Sequence, residues 1–319
     1  MAIEALSHPI IFNILVLIAS TFILFKAADY LIMGISSYAK KLGLSDAIIG
    51  LIVIAFAASL PEIISSVAGF AEEVSVGFGA ILGSNMVHAG LALGLLAIFA
   101  KKMPIGRSVF QKNKLLVWIF LMLPFILLVI DGELGRIDGI ILIAVFVIYL
   151  SRLIYLEGKT GKVKKKVKIK RVWKDAAIFL GCLAAMILAG RYLVFSSVNL
   201  AHTIGIPAYF ISLTVIAIGA TIPDLAVEIR SIFRGHVQIG LGDLMGSLMI
   251  ELLLFFGVVA VINPIQINIM QILNAIIFLV ISITVIIFFM RGKAITWKHG
   301  IILLLLYAAF MTIEILKLI

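Results

Sequence analysis

The sequence predicts an all-α membrane protein of ten transmembrane helices, built as two inverted-topology repeats of five helices each. Three observations predict it: an extreme apolar composition, ten apolar runs of spanning length, and a motif pair repeated at a fixed offset. Of 319 residues, 63% are hydrophobic and 13% charged, and the mean hydropathy is +1.25. Soluble domains are roughly 45–50% apolar and about 25% charged. A water-soluble globular protein is therefore excluded, and so is a disordered chain. The net charge is +10, from 26 Lys+Arg against 16 Asp+Glu. In so apolar a chain this points to loops facing anionic lipid, with no role for nucleic acid. The single cysteine, Cys182, allows no intrachain disulfide.

A hydrocarbon core of about 30 Å takes about 20 apolar residues per helix. In chain order the spans fall near 9–33, 47–70, 76–100, 113–130 and 137–156, then 175–199, 207–231, 237–262, 267–290 and 297–317. The first run lacks a basic start and exceeds the roughly 7–15 apolar residues of a signal peptide, so it reads as a span. Barrel strands of about 10 alternating residues are too short and too polar to describe these runs. The halves 1–157 and 175–319 flank a basic linker, 158–174, which carries eight lysines and Arg171. Basic loops mark the cytoplasmic side. Lys40 and Lys41, the 101–114 loop, the linker, Arg234 and the 291–298 loop form one set. Glu72, Glu73 and Asp131–Asp138 belong to the other. The linker is thus expected in the cytoplasm, against anionic headgroups, with both termini outside. The compact loops fit a prokaryotic plasma membrane.

VIAFAASLPE (53–62) returns as VIAIGATIPD (215–224), so Pro61 maps to Pro223 at an offset of 162. Farther on, Gly83-Ser84 maps to Gly246-Ser247 at an offset of 163. Five spans per half is an odd number, so the second copy enters the membrane the other way round. Inverted repeats of this kind recur in secondary transporters, with the ion site at the repeat interface near the midplane.

Acids inside spans are costly, about +2.5–3.5 kcal/mol each on insertion scales. Glu62 and Asp224 stand mid-span at equivalent repeat positions, each after a proline. A proline lacks the N–H of the helical ladder, and broken helices present carbonyl oxygens to ions. Carbonyls around Ala58, Ser59, Ala220 and Thr221 are the expected ligands of this type. Ser84 and His88 are four apart, as are Ser247 and Glu251, and Asp243 precedes Ser247 by four. Each set shares one helix face, facing Glu62 and Asp224. Oxygen-rich sites suit hard cations such as calcium.

With these residues the chain resembles the calcium/cation antiporter superfamily, which includes sodium/calcium exchangers. That superfamily carries two inverted repeats, each with a G-[ST]-[ST]-x-P-E stretch and a later G-N-x-x-G-S-N-x-x-[ND] stretch. Here the first stretch reads AASLPE at 57–62 and GATIPD at 219–224. The second reads GAILGSNMVH at 79–88 and GDLMGSLMIE at 242–251. The resemblance implies that Glu62 and Asp224 pair to bind calcium or a substituting cation. It implies that Ser59, Thr221 and the Ala58 and Ala220 carbonyls line the site, and that Ser84 and Ser247 serve flanking sodium ions. It also implies that the first and sixth spans slide to switch access. His88 stands where an amide is usual, Glu251 where an acid is usual, and Asp243 replaces an amide. Imidazole suits borderline metals more than calcium.

The expected activity is secondary antiport of a divalent cation, calcium first, against sodium or protons. It needs no cofactor and no partner beyond the bilayer and the transported ions. Proton-coupled exchange of another divalent metal, such as magnesium or manganese, is the runner-up. A membrane-embedded enzyme using an acid/base pair comes behind both.

Overall fold

The computed structural model describes residues 9–41, 55–105, 114–158, 172–233, 237–266 and 268–318. Residues 47–54 of the second expected span, Arg234 and most of the basic linker lie outside them. The described chain is predominantly helical. The helices are α1 (Pro9–Lys41), α2 (Ala55–Ala58), α3 (Leu60–Glu72), α4 (Val74–Ala100), α5 (Lys114–Asp131) and α6 (Arg136–Gly158). After the linker come α7 (Val172–Ile204), α8 (208–233), α9 (237–262), α10 (Ile269–Phe289) and α11 (Trp297–Leu316). Seven of the described helices are long and apolar enough to cross a membrane.

The helices divide by burial. Of the apolar windows, 83% is buried in α4 and 72% in α9, but only 28% in α1 and in α7. α1 and α7 pack along one another at the periphery and expose Phe12, Ile18, Phe22, Leu180 and Leu188. Such surfaces belong against lipid, since an apolar patch of this extent is not stable in water. The main core gathers α4, α5, α6, α9, α10 and α11 around Phe78, Met86, Leu248, Phe256 and Phe310.

Two short antiparallel ribbons tie loops of one half to loops of the other. β1 (Lys102–Pro104) pairs with β4 (Ala294–Thr296), and β2 (Glu133–Leu134) with β3 (Ile265–Gln266). Close glycine contacts accompany them. A Cβ at Gly300 would stand 2.5 Å from the Gly94 carbonyl oxygen, and one at Gly139 would stand 2.6 Å from that of Gly257. Only glycine lets the backbones of α4 and α11, and of α6 and α9, approach this closely. The π-helical turns Val87–Ala92 in α4 and Ile250–Phe255 in α9 are separated by 163 residues (250 − 87), as are Gly94 and Gly257.

The prolines act differently from the expectation of two matching breaks. The chain bends at Ser59, between α2 and α3, with Pro61 in the first turn of α3. In the second half the helix runs through Pro223, and a π-helical segment, Ser212–Ile216, comes earlier instead. Proline at position i leaves the carbonyl at i−4 without its donor. The carbonyls affected are therefore those of Ala57 and Gly219, one residue before Ala58 and Ala220. The Ser59 carbonyl is occupied, accepting from the Ile63 N–H at 3.0 Å.

Candidate cation site

α3, α8 and α9 bring their acids together around His88 of α4 at the centre of the molecule. Small residues make the approach possible. A Cβ at Gly79 would lie 2.8 Å from the Tyr209 carbonyl oxygen, and one at Gly83 would lie 2.3 Å from that of Leu213. Ser212 seals the same contact by donating to the Val76 carbonyl. α4 thus lies flat on the start of α8, and the π turns of α4 and α9 carry His88 and Glu251. π turns recur at functional sites.

His88 is the hub. Its Nε2 lies 3.0 Å from Glu62 Oε1, 3.5 Å from Asp224 Oδ2 and 3.9 Å from Glu251 Oε1. Its Nδ1 lies 3.4 Å from Glu228 Oε1. Glu62, His88 and Glu251 each offer a ligand atom within 4.8 Å of the others. Serines extend the network: Ser59 donates to Ser247 Oγ at 2.9 Å, and Ser247 donates to Asp224 Oδ2 at 3.0 Å. Ser84 and Asn85 both donate to Glu251 Oε2, Asn85 at 2.8 Å. Glu62, Asp224, Glu228, Asp243 and Glu251 are all buried. Several of their oxygens, including Glu62 Oε2, Asp224 Oδ1 and Glu251 Oε1, have no hydrogen-bond partner among the described residues. Four carboxylates around one imidazole, with Asp243 buried nearby, leave a large excess of negative charge if ionised. In a low-dielectric interior that excess has to be met by cations or by protons. Such a cage can hold and release hard cations.

Of the expected residues, Glu62, Asp224, Glu251, His88, Ser59, Ser84 and Ser247 meet in this network. Thr221 is buried nearby, but its hydroxyl donates back to the Ala217 carbonyl at 2.8 Å. Asp243 is buried within electrostatic reach of Glu228, His88 and Glu62, without a hydrogen bond. Ala220 is buried in α8, and Ala58 ends α2. Sequence reasoning passed over Glu228 and Asn85. Glu228 was findable as the second acid on the face of Asp224, four residues on. Its repeat equivalent is Ser66 (228 − 162), so the repeat gives it no matching acid. Asn85 was hidden because its equivalent is Leu248.

A family model described as sodium/calcium exchanger protein matches residues 12–155 and again 174–316, one match on each side of the basic linker. The sodium/calcium exchanger MaX1 of Methanosarcina acetivorans is 25% identical over 345 residues, covering 94% of this chain and 98% of that protein. The inner membrane protein YrbG of Escherichia coli is 29% identical over 273 residues, 79% of this chain and 80% of its own. Among solved structures, an H+/Ca2+ exchanger CAX superposes with a TM-score of 0.76 at 14% identity, covering 95% of this chain and 86% of that one. The sodium-calcium exchanger NCX_Mj, soaked with 100 mM Na+ and 10 mM Sr2+, gives 0.70 at 24% identity, covering 95% and 98%. At these identities the two structures speak for the fold.

Proposed function

The chain belongs to the sodium/calcium exchanger protein family, a family of transporters, and on that premise we propose that it is a secondary antiporter exchanging calcium for sodium or protons by alternating access. The observation that carries the reading is that Glu62 and Asp224, one from each half and each beside a proline, both reach the same imidazole nitrogen within 3.5 Å. An acid pair joined across two halves is the arrangement a carrier needs to release an ion to either side.

We also propose the ten-span topology, with halves 1–157 and 175–319 as inverted repeats, the linker 158–174 cytoplasmic and both termini outside. Two features support the repeat. The strand pairs β1–β4 and β2–β3 exchange roles between halves, since β1 and β3 begin 163 residues apart (265 − 102) and β2 and β4 begin 161 apart (294 − 133). The glycine contacts Gly94–Gly300 and Gly139–Gly257 follow the same rule. In this reading Glu62, Asp224, Glu251 and His88 hold the divalent ion, and Ser59, Ser84, Ser247, Thr221 and the neighbouring carbonyls complete the cation path.

Both coupling ions have a relative behind them, a sodium/calcium exchanger by sequence and an H+/Ca2+ exchanger by fold. The test is radioactive calcium uptake into proteoliposomes, driven separately by outward sodium and outward proton gradients. Uptake under one gradient names the coupling ion. Uptake under neither refutes calcium antiport.

A further inference from the structure

α5 and α10 come from different halves of the chain and pack against one another. A cleft of about 600 Å3 opens between them at the end where α5 begins and α10 finishes. Its walls are apolar, with Leu115 and Phe288 exposed and Ile287 buried behind them. Trp118 crosses the cleft and donates its indole N–H to Thr284 Oγ1 at 2.9 Å, and Thr284 donates in turn to the Val280 carbonyl at 2.7 Å. Both donors are thereby engaged, and the indole ring is left as apolar lining.

The mouth of the cleft is basic. Lys114 stands one helical turn before Trp118, and Arg291 follows the end of α10 with its guanidinium carbon 5.6 Å from the centre of the Phe288 ring. Aromatic rings below and cationic heads above mark a helix end at the lipid–water interface. The β1–β4 ribbon ties the two flanking segments together at this end. Residues 101–114 hold five Lys or Arg, residues 291–298 hold three, and neither segment has an acid. The cleft of about 220 Å3 at the opposite end, between α3 and α9, has no basic residue in its lining. A basic mouth is therefore not a general property of clefts on this surface.

An anionic phospholipid carries a phosphate directly above its acyl chains, and basic pockets between membrane helices take such headgroups. A soluble anion meets the mouth but leaves the apolar slot unfilled. A zwitterionic lipid fills the slot but brings a cationic group to a mouth that is already positive. We propose that the cleft between α5 and α10 is a binding site for an anionic phospholipid, its phosphate held by Lys114 and Arg291 and an acyl chain laid along Leu115, Trp118 and Phe288. The lipid then joins one helix of each half at the basic end of the molecule. The proposal rests on the membrane reading of the fold and not on the exchange reaction, since none of these residues belongs to the central site.

Trp118 is the reporter. The chain has three tryptophans, and Trp173→Phe/Trp297→Phe leaves Trp118 alone. This full-length protein is reconstituted in phosphatidylcholine vesicles with a rising share of phosphatidylglycerol brominated on its acyl chains, and separately with brominated phosphatidylcholine. A basic residue near an anionic lipid surface adds roughly a fivefold attraction. Phosphatidylglycerol is therefore expected to quench Trp118 well beyond its mole fraction, with a severalfold preference over phosphatidylcholine. Adding Lys114→Gln/Arg291→Gln returns quenching to the mole fraction. Adding Lys102→Gln/Lys298→Gln, which removes two exposed cations of the same end from outside the cleft lining, keeps the preference. Equal quenching by brominated phosphatidylcholine in every variant guards against misfolding. Quenching by mole fraction alone in the parent reporter overturns the proposal. So does a preference that survives Lys114→Gln/Arg291→Gln, and so does an equal loss in both variant pairs, which makes the attraction diffuse.

Discussion

Replacing Asp224 by Asn tests the central claim with the smallest change of shape. The amide keeps an oxygen to accept from Ser247, which donates to Asp224 Oδ2 at 3.0 Å, and removes one unit of charge. Two unit charges 4 Å apart interact by about 4 kcal/mol at an effective dielectric constant of 20. A calcium ion is divalent and sits closer to its ligands, at about 2.3–2.6 Å, which increases the loss. The carboxylate's own desolvation cost, which the amide does not require, reduces it. A net loss near 4 kcal/mol corresponds to roughly a thousandfold weaker binding. At calcium concentrations that saturate the wild type, exchange by Asp224→Asn in proteoliposomes falls to background. Glu62→Gln behaves alike, because its carboxylate meets the same imidazole nitrogen. Stability moves the other way. Asp224 shares its buried surroundings with the acids Asp243 and Glu228, so removing its charge relieves like-charge repulsion. The variant melts no lower than wild type in a detergent thermal scan, which separates lost function from lost fold. Calcium exchange within threefold of wild type in both variants refutes the reasoning.

His88→Asn removes the nitrogen donor from the centre. Competition of manganese and zinc against calcium uptake is expected to weaken several-fold, and unchanged competition makes His88 a packing residue. Ser247→Ala breaks the Ser59–Ser247–Asp224 chain. A hydrogen bond to a charged group contributes about 1.5–3 kcal/mol, so calcium affinity drops at least tenfold, read as a shift in the half-saturating concentration. Gly300→Ala forces a methyl to 2.5 Å from the Gly94 carbonyl oxygen. Overpacking of this kind costs about 1–3 kcal/mol and lowers the melting temperature. Gly181→Ala, with nothing within 4 Å of its added methyl, does not lower it, since alanine is favoured over glycine inside a helix.

The helices were legible because spanning length and uniform apolarity are properties of the chain itself, and the bounds of α4, α9 and α10 differ from the expected spans by only a few residues. Glu62, Asp224, Glu251 and His88 were legible through the repeat, which marks a buried acid by giving it a partner. The same filter hid Glu228 and Asn85, whose partners are Ser66 and Leu248. The role of His88 as hub was not legible at all. It depends on how α3, α8 and α9 pack around the π turn Val87–Ala92 that carries His88. Nor did Thr221 declare that its hydroxyl would turn back to Ala217. In a helix a threonine hydroxyl reaches the carbonyl four residues earlier, and only the tertiary surroundings decide between that bond and the site.

The backbone and the charges of this molecule follow different symmetries. The ribbons, the glycine contacts and the π turns of α4 and α9 come in matched pairs. The acids do not: the second half supplies Asp224, Glu228, Asp243 and Glu251, and the first supplies Glu62 with an imidazole facing all but Asp243. A ligand shifts a conformational equilibrium only through a difference in its affinity for the two states. On the proposed inverted-repeat reading, Glu62 and Asp224 occupy equivalent positions, inversion exchanges them, and they contribute little to such a difference. Glu228 and Asp243 have no charged counterparts, and the field they add falls on one side of the centre. On the proposed alternating-access reading, the one-sided pair is therefore the part of the site through which a bound cation favours one access state over the other.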